Sequence, residues 1–262
     1  MEYTITEWVN LLLRWAHVFA AILWIGSTYF FTWLDGQFGR ESDDVWLVHS
    51  GGFYIVKKEK LVAGAARRLH WFRWEAAATW TTGLLLLIVV YDRGGLMVDA
   101  ASPVSAGTAS LVGYGALAAG WVVYDAIWRS PLRARETLGA ALCFVLLVAA
   151  AWGLSRVMSG RAAYLFVGGM MGTIMAANVW MRILPGQRKM IAAVEAGRAP
   201  DLTLAAGAKL RSKHNTFLVV PVVAIMISNH FPVATYGSAY NWAILGLLTL
   251  AGWTAAHWLR RA

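Results

Sequence analysis

Apolar positions in this 262-residue chain come in long, nearly unbroken runs rather than in alternation. Seven runs are long enough to cross a hydrocarbon core as helices, which takes about 20 residues. They lie near 8–34, 71–91, 108–128, 137–157, 162–184, 215–231 and 239–259. None alternates in the manner of a membrane barrel strand. The pattern predicts an all-α, polytopic membrane bundle of about seven transmembrane helices. With no Pro- or Ser-rich linker and no repeat of fixed period, residues 1–262 read as a single transmembrane domain.

Composition agrees. Only 14% of residues are charged and 59% are apolar, whereas an ordinary soluble domain is about a quarter charged. The N-terminus does not read as a secretory signal, because Glu2 and Glu7 precede any basic residue and the first apolar run is too long. Cys143 is the only cysteine. It excludes an internal disulfide, a covalent c-type haem site and a thiolate cluster.

The net charge of +9 is a topology signal rather than a nucleic-acid signal, because it is unevenly placed. Loops on one side of the seven spans hold 17 Lys and Arg, and those on the other hold only Arg93, Arg156 and Arg161. By the positive-inside rule the rich side is cytoplasmic, which puts the N-terminus outside and the C-terminus inside. Within the basic loops, "HSGGFYIVKKEKLVAGAARRLHWFRWE" reads as an interfacial amphipathic segment, with Gly51-Gly52 allowing a tight bend.

Polar groups inside apolar spans are costly and are functional candidates by default. Here they form two layers. The basic side has His70 and Glu75 at the start of the second span, and Tyr124 and Asp125 at the end of the third. It also has Asn178 and Arg182 in the fifth, His214 and Asn215 opening the sixth, and His257 in the seventh. Asn229 and His230 end the sixth span on the opposite side.

His17 stands apart. Counted from Trp8, it lies about 13 Å down the first helix at 1.5 Å per residue, near the midplane. Arg14 shares its face, one turn nearer the outside. A lone histidine on an apolar helix is more often a packing residue than a ligand, but few partners exist at that depth. A neutral imidazole in a bundle suits axial ligation of haem b, and a neighbouring arginine suits a propionate. His230 is the candidate second ligand to the haem iron, with Met226 in reserve. Zinc fits less well, since no His/Asp/Glu pair at helical spacing faces the bundle.

The blocks "LLLRWAHVFAAILWIGSTYFF", "HSGGFYIVKK", "LHWFRWEAAATW", "GRAAYLFVGGMMGTIM", "GTIMAANVWMRILPGQRKM" and "RSKHNTFLVVPVVAIMISNHFP" resemble the membrane domain of the bacterial cytochrome-c-type urate oxidase (urate hydroxylase) family. The resemblance runs from about residue 6 to 260. It implies oxidation of urate to 5-hydroxyisourate in the bacterial inner membrane, with electrons passed to a cytochrome c. Full-length members of that family continue into another helix and a cytochrome c domain. This sequence departs from that pattern at "AAHWLRRA", so the expectation is either a separate cytochrome c or other respiratory-chain acceptor or a diverged activity, with an oligomer left open.

Urate is mainly a flat monoanion at neutral pH. Its site needs positive charge, amide or guanidinium donors, an aromatic platform and a base. On the basic side Arg182, with Lys58, is the candidate to hold the anion, and Asn178 to read the ring edges. Glu75 or His70 is the candidate base, with His214 and Asn215 nearby, and Trp74, Phe53 and Tyr54 are candidate stacking partners. Two rivals share these features: a carrier for purine-like organic anions, and a haem-bearing electron-transfer subunit without substrate chemistry. Transporters often carry inverted repeats, and none is evident here.

Overall fold

The structure is a computed structural model that describes residues 2–38, 44–59 and 69–261. Among these residues, seven helical segments are long and apolar enough to cross a membrane: Thr4–Gln37, Trp74–Arg93, Ala106–Arg129, Glu136–Leu154, Gly160–Glu195, Leu202–His230 and Asn241–Leu259. The chain is a multi-pass, all-α membrane bundle.

In chain order the elements are α1 (Glu2–Gln37), β1 (Asp44–His49), β2 (Gly52–Lys57), α2 (Trp74–Leu87), α3 (Ala106–Arg129), α4 (Glu136–Leu154), α5 (Gly160–Ala177), α6 (Leu184–Glu195), α7 (Leu202–Ile227) and α8 (Asn241–Leu259). Local chemistry sets several ends. The Ser105 side chain accepts from Thr108 N–H to cap α3, Ser159 from Ala162 N–H to cap α5, and Asp201 from Thr203 N–H to cap α7.

Alternate helix ends meet at opposite poles. At the basic pole the Tyr29 hydroxyl of α1 donates to the Thr216 carbonyl of α7, and Arg260 beyond α8 donates to Thr216 Oγ1. At the other pole Arg161 Nε of α5 donates to Asn229 Oδ1 after α7, at 2.9 Å. α5 is the hub, buried continuously from Ala162 to Gly168. α1 is the periphery. Its stripe Leu11, Trp15, Phe19 and Ile22 is exposed in the isolated chain, and hydrocarbon is the solvent that suits it.

Three features depart from the sequence reading. The first helix runs to 36 residues, about 54 Å, so it overshoots a hydrocarbon core of about 30 Å. The sixth span begins at Leu202 rather than near 215, because its polar first turns are helical although not apolar. The loop after α1 contains an antiparallel hairpin, not only an interfacial segment. β1 pairs β2 with Trp46 opposite Ile55 and Val48 opposite Phe53. Its turn has positive φ at Ser50 and Gly51, the combination a tight two-residue hairpin needs, so the predicted bend falls one residue early. Trp46, Phe53 and Tyr54 are exposed on it, as headgroup-facing aromatics are. The rest of that predicted segment, residues 60–68, lies outside the described residues.

α5 runs into α6 through a wide π turn, Asn178–Ile183, that precedes Pro185. A proline cannot donate to the carbonyl four residues back, and its ring crowds that carbonyl. The wider turn accommodates both effects. It also rotates Asn178 and Arg182 onto α3 and α7.

Candidate functional site

Of the residues singled out from sequence, one set converges on a network at the basic pole. Asn178 is fully buried; its Nδ2 donates to Tyr124 Oη at 3.0 Å and to Asn215 Oδ1 at 2.9 Å. Asn215 Nδ2 in turn donates to the Met175 carbonyl at 3.0 Å. Tyr124 Oη lies 2.7 Å from His214 Nδ1. Asp125 anchors the charged half. Arg182 grips it in bidentate fashion, with Nε to Oδ1 at 2.8 Å, and Arg211 Nη2 donates to the same Oδ1 at 2.8 Å.

Arg182, expected with Lys58 to hold the anion, is here paired with Asp125, a carboxylate that it shares with Arg211 and, at 3.9 Å, with Arg129, so the cluster keeps a net positive charge. Both amide hydrogens of Asn178, expected to read the ring edges, are used within the network, which joins α3, the π turn and α7. Arg211, only 4% exposed, is the member that sequence reasoning counted merely as a loop cation. The available signal was its position four residues before Asn215, on the same helical face.

Other candidates stand elsewhere. Lys58 is ion-paired with Asp35 at the end of α1. Phe53 and Tyr54 are exposed neighbours on β2, so they point to opposite faces. His70 makes an edge contact with Phe72, ring centroids 4.5 Å apart. Among the described residues, no hydrogen bond, ion pair or ring contact joins these four to the Asn178 network.

Glu75 and Trp74 open α2 beside the π turn, and there the structure shows a second polar group. Three side-chain atoms are buried without a hydrogen-bond partner among the described residues: Arg73 Nε, Glu75 Oε2 and Trp180 Nε1. The Arg73 guanidinium lies 5.2 Å from the Trp74 ring centroid and 5.9 Å from that of Trp180. The two indoles meet edge-to-face at 5.6 Å. A guanidinium and two aromatic rings thus form one cluster, and Glu75, with an unpartnered carboxylate oxygen among the described residues, follows Trp74 in the first turn of α2. Arg73 and Trp180 were not singled out from sequence.

The third assembly surrounds His17. A cavity of about 550 Å³ between α1, α2, α5 and α7 is lined by His17, Arg14, Met226 and His230, with Arg161 and Tyr91 also on its wall. That size lies within the usual range for small-molecule and cofactor pockets, about 300–1,000 Å³. His17 Nδ1 lies 2.9 Å from the Thr79 carbonyl, which can only accept, so Nδ1 carries the proton and Nε2 keeps its lone pair. Gly83 lets the ring sit this close to α2, because a Cβ there would come within 2.9 Å of His17 Cε1. On the facing wall Gly172 has no atom within 4 Å of where its Cβ would be, so the backbone leaves open space.

The cavity and the Arg73 cluster are connected. Thr79 Oγ1 donates to the Glu75 carbonyl at 2.7 Å, and the Thr79 carbonyl accepts from His17. Trp24 and Met175 line the cavity and also pack in the apolar cluster that holds Ala76, Trp71 and Trp180.

A family described as Urate oxidase N-terminal matches residues 3–262, almost the whole chain. The chain belongs to that family. Comparison with curated proteins and with solved structures found no match. Membership in the Urate oxidase N-terminal family makes this chain a urate-related, oxidoreductase-type protein and accounts for the extent of the sequence blocks. The residues around His17 also suit the haem that the sequence reading expects. The cavity offers a histidine nitrogen with a free lone pair, a thioether and a second imidazole from α7 and the turn after it, and two guanidinium groups.

Proposed function

We propose that the chain is a membrane-bound urate oxidase that converts urate to 5-hydroxyisourate and delivers the electrons to a cytochrome c-type acceptor. One observation carries this reading: four residues expected from sequence to hold haem (Arg14, His17, Met226 and His230) line one cavity in a chain of the Urate oxidase N-terminal family. His17 Nε2, with His230 or Met226, would hold the haem iron, and Arg14 and Arg161 would pair with its propionates. Haem b bound there supplies a reversible one-electron carrier inside the membrane.

The substrate step falls to the Arg73 cluster. Urate plus water gives 5-hydroxyisourate, two protons and two electrons. The Arg73 guanidinium pairs with the flat anion, the exposed Trp74 offers its ring for stacking, and Trp180 Nε1 donates to a ring oxygen. Glu75 Oε2, which has no hydrogen-bond partner among the described residues, takes a ring N–H proton and raises electron density in the ring that loses the electrons.

Two outcomes test the placement. Glu75→Gln is expected to lower urate turnover about 10²-fold with the half-saturating urate concentration nearly unchanged, as for a lost base. Arg73→Lys is expected to raise that concentration, at a cost of about 1.5–3 kcal/mol for a lost charge-assisted hydrogen bond, whereas Arg182→Lys leaves it alone. Steady-state kinetics at constant haem content separates the two sites. A larger effect at Arg182 than at Arg73 would return the substrate to the Asn178 network.

The reading also needs the basic pole in the cytoplasm of a bacterial inner membrane. In a Cys143→Ser background, a cysteine replacing the exposed Val48 of the hairpin should resist an impermeant maleimide in intact cells and react after lysis. Labelling of intact cells would invert the topology and the direction of electron flow.

A further inference from the structure

A second cavity, of about 560 Å³, lies across α5 from the first. Met170, Met171 and Ile174 face it, whereas Gly168, Gly169 and Gly172 of the same helix face the His17 cavity. One helix, about 10 Å across, therefore divides them. The wall of this second cavity is apolar apart from a few residues that carry polar groups.

Two of these are unsatisfied donors. Trp253 Nε1 and Trp128 Nε1 are buried, and neither has a hydrogen-bond partner among the described residues. Trp128 has only the weakly accepting Cys143 thiol alongside. Leaving a buried N–H unpaired costs about 1–3 kcal/mol, and tryptophan normally enters a core where its N–H finds an acceptor. His214 supplies a third donor. The Tyr124 oxygen accepts from Asn178, so its own hydrogen goes to His214 Nδ1, which leaves the proton of the neutral imidazole on Nε2. That ring stacks near Trp128, centroids 4.1 Å apart.

The way in is lateral. Val123 and Leu146, exposed on α3 and α4, border the cavity between those helices, on a face suited to lipid. The end at the basic pole is bordered by the Lys213–Glu136 ion pair, with N···O at 2.5 Å. A ligand from the lipid phase with a flat apolar body and carbonyl acceptors matches this combination. An acyl chain would fill the volume but leave the indole N–H groups unpaired.

We propose that this cavity binds a lipid-soluble quinone and serves as a second electron exit, on the membrane side. The redox part rests on the urate reading above. Each urate oxidised yields two electrons and two protons; the quinone takes the two electrons and one proton on each carbonyl oxygen, giving the quinol. His214 Nε2–H is placed to donate to one carbonyl and Trp253 Nε1–H to the other.

The test uses the full chain in lipid nanodiscs with decylubiquinone as probe and decylbenzene, which lacks carbonyls, as control. Decylubiquinone is expected to bind saturably and to slow maleimide labelling of Cys143 at least severalfold, while decylbenzene does so far more weakly. Trp253→Phe, which keeps a ring but removes the donor, should weaken decylubiquinone binding about tenfold and leave decylbenzene unchanged. Equal protection by both probes would overturn the quinone assignment in favour of a plain acyl pocket, and so would absence of saturable binding. Anaerobic urate should then reduce the bound quinone. Reduction of cytochrome c but not of quinone would sink the exit role. Reduction of neither, with binding intact, would sink the urate reading and leave the quinone site standing.

Discussion

Replacing His17 with alanine is expected to strip the purified protein of its Soret absorption while insertion and yield are retained. The imidazole is held through Nδ1 by the Thr79 carbonyl, with Thr82 Oγ1 also 3.1 Å away, so its other nitrogen is oriented before any ligand arrives. Such outer partners typically contribute about 10–100-fold to the affinity of a site. Gly83→Val should therefore act in the same direction without touching the ligand itself, since a Cβ at 83 already meets the ring at 2.9 Å. Gly153→Val, with nothing within 4 Å of its Cβ position, is the matched control. Absorption spectra of the three variants decide the matter. An unchanged spectrum in His17→Ala would return this residue to packing.

The second large effect concerns stability rather than chemistry. Asp125→Ala removes the carboxylate that Arg182 and Arg211 share, and Arg211 is 4% exposed. Breaking a buried ion pair from one side leaves an uncompensated charge and costs about 3–5 kcal/mol. Arg182→Ala should cost much less, because Arg182 is partly exposed and Asp125 keeps Arg211. Cys143 gives the readout: it is half-buried, so its reaction with a thiol dye on heating reports opening of the bundle. Asp125→Ala should react at a markedly lower temperature than the parent, with Arg182→Ala between them. Equal losses in the two variants would contradict the central place given to Asp125. The network has a second consequence: it ties α3, the π turn and α7 together at the pole where urate would enter.

The two sites were legible to different extents. The depth of His17 follows from counting residues along a helix, but its partners Thr79 and Thr82 come from α2. The ion-pair partner of Arg182 likewise comes from another helix, 57 positions away in sequence. Spacing correctly put Asn178 and Arg182 one turn apart. It held no information on Asp125 arriving to pair with the guanidinium, nor on the π turn that sets the direction of both.

What the sequence determined alone is one-dimensional: seven spans, because run length must match bilayer thickness, and the depth of each polar group along its helix axis. The resemblance to the urate oxidase family was also legible, in blocks that need no folding to be compared. What the tertiary structure decided is azimuthal. Lipid is as apolar as a protein core, so these helices are apolar on most sides and no amphipathic stripe says which face turns inward. The hairpin after α1, the Arg73–Glu75–Trp180 cluster and the two cavities on either side of α5 all depend on that rotation. Only packing of small residues and satisfaction of buried polar groups fix it, and both require the other helices to be present.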